Sequence, residues 1–408
     1  MEMLVGGALL LVAAGYAAVW AWLAAPLRRG RCTSPPGLPS EEGREEPRRH
    51  GAESSGLPFS ERKPGGEAQR PHFSVLIAAR DEVAALPTLL AALGAQTLPP
   101  AQFEVLVADD HSADGTAALV AAAARTAPYS LRLVELPPGA TGKKAALGVA
   151  EALASAPWVV CTDADCHPGP DWLRAYAELL KAEAVPLHFV SGPVRLVPGG
   201  TWFDGLLALE FAGLVGVGAG CIARDYPTMC NGANLAYRRS SFHAVGGYAD
   251  NAAVASGDDE FLLHKLHQRY PAGIRFLADA RAVVDTPAPA TLGALLRQRV
   301  RWASKYPHYR AAAPRQLALL VLGTNLSLTL GIGLALAWPV ALGPWVVTSW
   351  AFKLGADTWL LWPVLGLLQR RRWLAWLLPL QLLYAPYALA VGLAGRRGGY
   401  RWKGRQVR

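Results

Sequence analysis

Hydrophobic and polar positions divide the chain into a central region of short apolar runs and two ends that carry long apolar runs. From Phe73 onward, the short runs alternate with segments of helical length. Five runs predict strands and are mostly apolar on both faces, as in a parallel sheet covered by helices: residues 73–79, 103–108, 131–136, 158–162 and 188–191. Four segments predict helices: residues 82–95, 115–125, 143–154 and 171–181. This alternation predicts a doubly wound α/β domain whose ligands bind beyond the carboxyl ends of its strands.

The long apolar runs predict helices that cross a membrane. Residues 3–26 carry no charge and are too long for the core of a signal peptide, which is the alternative. Near the other end, residues 317–338, 340–368 and 373–393 are candidate spans, although 340–368 contains Lys353 and Asp357. These two residues are four positions apart on a helix, so we expect a satisfied ion pair. Residues 202–220 are apolar but rich in glycine, and we expect an interfacial helix there.

Together these patterns predict five regions along the 408 residues. They are an N-terminal transmembrane helix at 1–27, a flexible linker at 28–70, an α/β domain with interfacial helices at 71–312, a C-terminal transmembrane region at 313–395 and a basic tail at 396–408. The linker is rich in Pro, Gly, Ser, Glu and Arg, and such a stretch buries too little apolar surface to offset its ordering entropy.

Charge and composition agree with a membrane location. The chain is 52% hydrophobic with 14 tryptophans, and its net charge is +9. The basic residues lie beside the apolar runs, around 28–31, 370–372 and 396–408, and not along a folded face. The positive-inside rule therefore predicts an integral protein of the bacterial inner membrane with its α/β domain in the cytoplasm, and no nucleic-acid partner. One N-terminal and three C-terminal spans would place the basic tail outside, so a re-entrant final segment stays an alternative. The five cysteines lack the spacing of a zinc site, and we expect free thiols.

Three acidic clusters follow predicted strands or open a helix. Asp109 and Asp110 end the second strand, and Asp163, Ala164 and Asp165 end the fourth. The third cluster, Asp258 and Asp259, precedes an amphipathic helix. Each cluster alone has an ordinary explanation, such as a helix cap or a first-turn acid that complements the helix dipole. Two carboxylates two positions apart after a strand can instead converge on one hard divalent cation if the backbone turns.

Basic, amide and aromatic side chains accompany these clusters. Lys143 and Lys144 open a predicted helix, where a diphosphate or a base edge would bind, although a solvated helix start is equally compatible. Gln298, Arg301 and Trp302 share one helical face at i, i+3 and i+4, and a basic interfacial helix with a tryptophan anchor is the alternative explanation. Asn234 follows a glycine-rich turn and is compatible with sugar binding or with turn formation.

In this order the motifs resemble those of inverting glycosyltransferases of family 2. The first strand ends in Ala-Arg-Asp-Glu, the segment 109–116 is similar to an Asp-Asp-x-Ser-x-Asp-Gly-Thr signature, and 163–165 is similar to an Asp-x-Asp motif. Gln298 to Trp302 match the Gln-x-x-Arg-Trp motif of cellulose, hyaluronan and glucosylceramide synthase-type enzymes. The family usually has Asn where this chain has Asp81. The resemblance covers about residues 73–302 and implies a GT-A fold: a Rossmann-like, mostly parallel sheet in an α/β domain, here with N- and C-terminal transmembrane helices.

The resemblance also implies site roles. Asp259 would be the general base and Asp258 a supporting acid. The implied donor-binding residues are Ala79, Arg80, Glu82, Asp109, Asp110, Lys143, Lys144, Asp163 and Ala164. The implied residues for the acceptor or the diphosphate are Asn234, Gln298, Arg301 and Trp302. Asp163 and Asp165 would hold a Mg or Mn ion.

The function that the resemblance implies is sugar transfer with inversion from a nucleotide-sugar donor, expected to be a UDP-sugar. The acceptor would be a lipid or a glycan. Two alternatives remain: a processive polysaccharide synthase, and an inactive membrane scaffold. A scaffold would be expected to lose one carboxylate cluster, and none is lost. A polymerase that exports its product needs a polar tunnel through several spans. About four spans with few sugar-binding groups favour transfer of a single sugar to a lipid.

Overall fold

The computed structural model describes residues 2–28, 71–249, 257–303, 305, 309, 311–396, 400–402 and 405–407. Nearly all of the predicted linker at 28–70 and part of the basic tail therefore lie outside the described residues. The helices are α1 Glu2–Arg28, α2 Leu86–Gly94, α3 Thr116–Ala123, α4 Lys143–Leu153, α5 Trp172–Ala182, α6 Asp204–Ala223, α7 Arg239–Ala244, α8 Glu260–Arg269, α9 Leu292–Ala303, α10 Ala313–Ala337, α11 Pro339–Leu367 and α12 Leu377–Arg396. The strands are β1 Phe73–Ala79, β2 Phe103–Asp109, β3 Ser130–Glu135, β4 Trp158–Asp163, β5 His167–Pro168, β6 Phe189–Ser191, β7 Val194–Val197, β8 Leu235–Arg238, β9 Ile274–Phe276, β10 Val284–Pro287, β11 Tyr400–Trp402 and β12 Arg405–Val407.

The main sheet has the strand order β3-β2-β1-β4-β8-β6-β9. Strands β3, β2, β1 and β4 are parallel to one another, and β8 runs antiparallel between β4 and β6. The predicted α/β fold with a mostly parallel sheet is confirmed. The sequence did not predict β8, because its four residues follow a turn-rich segment and have no length signal of their own. The structure also forms a small sheet, β5-β10-β7, beside the main one.

Apolar cores cover both faces of the main sheet. Successive side chains of a strand point to opposite faces. Accordingly, Val75 and Ile77 of β1 pack in one core with α2 and α5, whereas Leu76 packs in the other with α4 and α8. All three side chains are fully buried, which explains the continuous apolar runs of the sequence.

Helix α6 joins the α/β domain to the long helices. The sequence predicted an interfacial helix at residues 202–220, with glycines that could interrupt it. The structure shows one unbroken helix of 20 residues. Its glycines allow close packing. A Cβ added at Gly216 would lie 2.6 Å from Val364 Cγ2 of α11, and one at Gly220 would lie 2.8 Å from the Leu23 carbonyl oxygen of α1. Small residues that admit a neighbouring helix are typical of helix contacts in membranes.

Among the described residues, three helices are long and apolar enough to cross a membrane: α1, α6 and α10. A fourth span is possible if the bent pair 371–384 and 386–394, which turns by 60°, counts as one. Helix α11 is 29 residues long but is not in this set. It contains the predicted ion pair, since Lys353 Nζ lies 2.8 Å from Asp357 Oδ2. Tyr16 of α1 donates a 2.6 Å hydrogen bond to the same carboxylate, and both charged side chains are buried.

Two arginines bind carbonyl groups that prolines leave without helical donors. Proline has no N–H, so the carbonyl four residues earlier lacks its usual partner. Pro26 leaves the Trp22 carbonyl of α1 free, and Arg224 donates to it from Nε at 2.8 Å and from Nη2 at 2.5 Å. Pro363 does the same for the Trp359 carbonyl of α11, which accepts from Arg28 Nη2 at 3.0 Å. These contacts fasten α1 both to the end of α6 and to α11.

We predict that Arg224→Ala lowers the stability of the chain by about 1.5 kcal/mol, the lower end of the range for a hydrogen bond that involves a charged group, because Arg224 is partly exposed. Pro26→Ala restores an N–H to α1, so in that background Arg224→Ala should cost clearly less. The measurement is thermal unfolding in detergent of both single variants and the double variant. Arg125→Ala, an exposed position on the domain, is the control. Equal losses in both backgrounds would contradict the carbonyl role.

Candidate active site

The carboxyl ends of three neighbouring strands bring the first two acidic clusters to one edge of the main sheet. In the register of the parallel strands, Ala79 pairs with Asp109, and Ala78 pairs with Asp163. Parallel strands present their carboxyl ends at the same edge, as the sequence-based prediction assumed. The residues that follow β1, β2 and β4 therefore share one surface of the domain.

Asp109 and Asp110 are buried but differ in how their carboxylates are satisfied. Asp110 is 2% exposed, and its Oδ2 accepts a 2.9 Å hydrogen bond from the Gly142 N–H at the start of α4. Asp109 accepts from the Ser112 N–H at 3.0 Å through Oδ2, whereas its Oδ1 is buried without a hydrogen-bond partner among the described residues. A buried oxygen without a donor costs free energy, so this atom is suited to a donor group of a ligand.

Residues 80–83 form several hydrogen bonds with the loop after β2. Arg80 Nη1 donates to the Asp110 carbonyl oxygen at 2.6 Å, and the Glu82 N–H donates to Thr116 Oγ1 at 2.9 Å. Asp81 has a positive φ of 52° and accepts from the Ala113 N–H at 2.8 Å. Asp114 Oδ1 accepts from the N–H of Thr116, the first residue of α3, at 3.0 Å. These contacts join residues 80–83 to the loop after β2, and a donor-binding role of Ala79, Arg80 and Glu82 stays a prediction.

Asp163 and Asp165 converge after β4, as the prediction of a backbone turn required. Their carboxylates and the Cys166 thiol have ligand atoms within 4.8 Å of one another. Carboxylate oxygens suit Mg²⁺ and Mn²⁺. Burial raises the pKa of the Cys166 thiol well above its usual range. The two carboxylates therefore fit a hard divalent cation.

Lys143 connects the second and third acidic clusters. Its Nζ lies 2.7 Å from Asp163 Oδ1 and 3.3 Å from Asp258 Oδ2. Burial would lower the pKa of Lys143, but Asp163 and Asp258 outweigh it and raise that pKa well above its usual range. Lys144 is 9% exposed, and burial lowers its pKa to about 8 against the attraction of Asp258 and Asp259. Lys143 therefore contacts two carboxylates and Lys144 is buried, so neither side chain is fully solvated at the start of α4.

Asp258 and Asp259 lie side by side in different surroundings. Asp259 is the N-cap of α8: its Oδ1 accepts from the Glu260 N–H at 2.8 Å, and its Oδ2 accepts from the Gly232 N–H at 2.9 Å. Burial, with Asp258 and Glu260 close by, raises the pKa of Asp259, while Lys305 opposes that rise. Burial would also raise the pKa of Asp258, but Lys143 outweighs it and lowers that pKa. Surroundings that separate two carboxyl pKa values are typical of acid–base sites.

Three residues of this site were not predicted from the sequence. Gly232 lies close to the ammonium of Lys143 and the carboxylate of Asp258. A Cβ added at this position would lie 3.0 Å from Lys143 Nζ and 3.3 Å from Asp258 Oδ2. Lys305 forms a 2.8 Å ion pair with Glu260, and Tyr309 donates to the same carboxylate. The signal for Lys305 was weak: it is a single basic residue three positions after Trp302.

The predicted acceptor role of Asn234 is wrong. Its side chain is fully buried and its amide is saturated. Nδ2 donates to the Pro193 and Ala282 carbonyls at 2.8 Å each, and Oδ1 accepts from Trp172 Nε1 and from the Tyr176 hydroxyl. A buried amide with this many partners joins four segments of the core and has no capacity left for a sugar. The sequence could not separate the two roles, because both favour Asn after a turn.

A cavity of about 1060 Å³ lies next to these groups. Its polar wall includes Lys143, Asp163, Asp258 and Asp259, and Gln298, Arg301 and Trp302 line it from α9. Helix α6 forms an apolar wall with Phe211, Leu214, Val215, Gly218 and Ala219. Asp109, Asp110 and Asp165 lie outside its lining, which reaches the sheet edge at Asp163. The structure therefore brings the third cluster, Lys143 and the α9 residues around one space.

Comparisons with known proteins concern the family and the fold. Residues 74–246 match the family model "Glycosyl transferase family 2". A poly-beta-1,6-N-acetyl-D-glucosamine synthase of Staphylococcus aureus (strain COL) is 29% identical over 205 residues, which are 49% of this chain and 46% of the relative. The chain thus spans about half the length of the curated relatives that it matches.

The fold has a solved counterpart over nearly the whole chain. A mannosyltransferase from Pyrobaculum calidifontis, solved in complex with GDP-Man and Mn²⁺, superposes with a TM-score of 0.54 at 21% identity. The superposition covers 96% of this chain and 99% of that one. Residues 74–246 are thus similar to glycosyl transferase family 2, and the chain as a whole has a GT-A-type fold.

Proposed function

We propose that this chain transfers one sugar from a UDP-sugar to a lipid acceptor at the membrane, with inversion at the anomeric carbon. The observation that carries the proposal is the pair of Asp258 and Asp259 beside a cavity with one charged and one apolar wall. The charged wall suits a nucleotide diphosphate and a sugar. The apolar wall belongs to α6, which is long and apolar enough to cross a membrane, and it suits the hydrocarbon part of an acceptor.

Asp259 is suited to act as the general base. A base works best when its pKa lies near the working pH, and burial raises the pKa of this carboxyl in that direction. The Gly232 and Glu260 N–H groups hold the carboxylate in place, and each oxygen retains a lone pair for the acceptor proton. The acceptor hydroxyl would give its proton to Asp259 while its oxygen attacks the anomeric carbon. The bond to the diphosphate breaks on the opposite side, so one displacement inverts the centre.

The leaving diphosphate would lie between β4 and α4. Lys143 presents its ammonium there beside Asp163, and a helix N-terminus favours anions. Asp163 and Asp165 would hold a Mg or Mn ion, whose charge offsets the negative charge that develops on the departing diphosphate. Asp109, with one buried oxygen that lacks a donor, suits an N–H of the base, and Asp110 supports the start of α4. Which nucleotide binds is a matter for direct comparison, because the Pyrobaculum enzyme was solved with GDP-Man.

A processive polysaccharide synthase is the second candidate function. The similarity to a poly-beta-1,6-N-acetyl-D-glucosamine synthase favours it, although it covers only 46% of that relative. An exported glycan needs polar partners along its path through the bilayer. In the described helices, Lys353 and Asp357 form a buried ion pair, and Asp357 also accepts a hydrogen bond from Tyr16, so they offer little to a passing sugar chain. We therefore favour a single transfer.

Replacing Asp259 tests the base. We predict that Asp259→Asn lowers turnover by about a hundred- to ten-thousand-fold, the usual range for a positioned base. The binding of UDP with Mn²⁺, measured by calorimetry, should change little, because the amide keeps the shape of the carboxylate. Asp225→Asn is the matched control, since Asp225 is exposed and Asn tolerates its positive φ. Near-normal turnover of Asp259→Asn would rule out the assignment.

The pH profile gives an independent test. Asp259 must be ionised to accept a proton, so activity falls as the pH drops through its raised pKa. Lys305 lowers that pKa, and its removal should raise it further. We therefore predict that Lys305→Gln moves the acidic limb of kcat to higher pH. Lys181→Gln, on an exposed position of α5, is the control and should leave the limb in place. A shift of the limb to lower pH would contradict the role of Asp259.

A further inference from the structure

A buried arginine inside the Gln298 to Trp302 motif has contacts on three helices. Arg299 of α9 has only 4% of its side chain exposed. It forms an ion pair with Glu210 of α6, whose side chain is 8% exposed, through Nη2 to Oε2 and through Nε to Oε1 at 3.2 Å. Its Nε also lies 3.1 Å from the Tyr387 hydroxyl of α12, and that hydroxyl donates to Glu210 Oε1 at 3.2 Å. The guanidinium is thus fastened to two of the long helices.

The same guanidinium contacts two residues that line the cavity. Arg299 Nη1 donates a 2.8 Å hydrogen bond to Gln298 Oε1. The Arg299 Cζ atom lies 4.3 Å from the centroid of the Trp302 ring, which is within the range of a cation–π contact. Trp302 also packs against Phe211 of α6, with ring centroids 6.3 Å apart. A planar, permanently charged group can hold an amide and an indole in one fixed geometry, whereas a lysine cannot.

We infer that Arg299 is a positioning residue: anchored by Glu210 and Tyr387, it sets the orientation of Trp302 and Gln298 on the acceptor side of the cavity. A buried ion pair adds little to the stability of a fold, because the free-energy cost of removing two charges from water roughly cancels their attraction. Here the arginine also reaches two cavity-lining side chains, which a purely structural ion pair does not require. The part of the inference that concerns the acceptor rests on the proposed function. The orientation of Trp302 can be tested without any turnover.

The first measurement follows Trp302 directly. The full chain is labelled with 5-fluorotryptophan, and the ¹⁹F resonance of Trp302 is assigned by its loss in Trp302→Phe. Arg299→Lys keeps the charge that Glu210 requires but loses the planar stack, so we expect the Trp302 resonance to shift or broaden while the other resonances stay in place. Arg297→Lys is the matched control, because Arg297 lies on the exposed side of the same helix. A Trp302 resonance that does not change in Arg299→Lys overturns the inference.

The second measurement separates positioning from folding. With a UDP-sugar donor and extracted membrane lipid, Arg299→Lys should lower kcat/KM for the lipid by about ten- to a hundred-fold, the scale of a misplacement of about 1 Å. Its affinity for UDP with Mn²⁺ should stay within about twofold, and Arg297→Lys should match the parent in both readouts. Tyr387→Phe removes one hydroxyl from the anchor and should show a smaller loss in the same direction. This milder variant keeps the test decisive if Arg299→Lys folds poorly.

The two failures are distinguishable. If the parent chain transfers no sugar from any UDP-sugar, the proposed function fails, while the ¹⁹F resonance still decides whether Arg299 orients Trp302. If the parent is active and Arg299→Lys keeps full kcat/KM, the positioning role is wrong, whatever the resonance does. An equal loss of UDP affinity and of kcat/KM would also overturn it, because that pattern indicates general damage to the fold.

Discussion

Carboxylates that converge on one edge of a sheet repel one another unless cations are packed between them. In this chain, Lys143 lies between Asp163 and Asp258, at 2.7 Å and 3.3 Å, and so joins a cluster at the end of β4 to a cluster that opens α8. Lys305 forms a second such contact: its Nζ lies 2.8 Å from Oε2 of Glu260, the residue next to Asp259. The site therefore holds several partly buried charges of both signs in a small space.

This balance of charge has a chemical consequence. Lys143 lowers the pKa of Asp258 despite its burial. Burial raises the pKa of Asp259, and the backbone N–H groups that bind its carboxylate do not reverse that rise. Adjacent carboxylates with different protonation behaviour can divide the work of a transfer, one as base and the other as a fixed negative charge. Gly232 is part of this arrangement, because any side chain at this position would displace the lysine or the carboxylates.

The long helices are joined to this site through α6. Its glycines let α1 and α11 pack closely against it, and its apolar side chains form one wall of the cavity. Arg224 and Arg28 add polar contacts at carbonyls that prolines leave free, so α1, α6 and α11 are held together by more than apolar packing. The cavity therefore has a membrane-length helix as one wall, which is the feature behind the proposed lipid acceptor.

Sequence patterns predicted the sheet and the acidic clusters because both are local. Strands β1, β2 and β4 appear as apolar runs, and the clusters follow them directly. Asn234 was misinterpreted because its partners are distant in sequence, including Trp172 and the Ala282 carbonyl. The same reason hid Lys305 and the anchor of Arg299, whereas strand β8 was missed because its four residues carry no length signal. Helix α6 was underestimated because glycines that weaken an isolated helix become favourable where another helix packs against them.

The most direct test of the account is the product itself. The chain in native-like membranes is given a panel of UDP-sugars and, for contrast, GDP-Man, and both nucleotide release and product mass are measured with Mn²⁺ present. The account predicts UDP release with one of the UDP-sugars and one discrete lipid carrying a single added sugar. A ladder of glycan lengths, or transfer from GDP-Man alone, would contradict it.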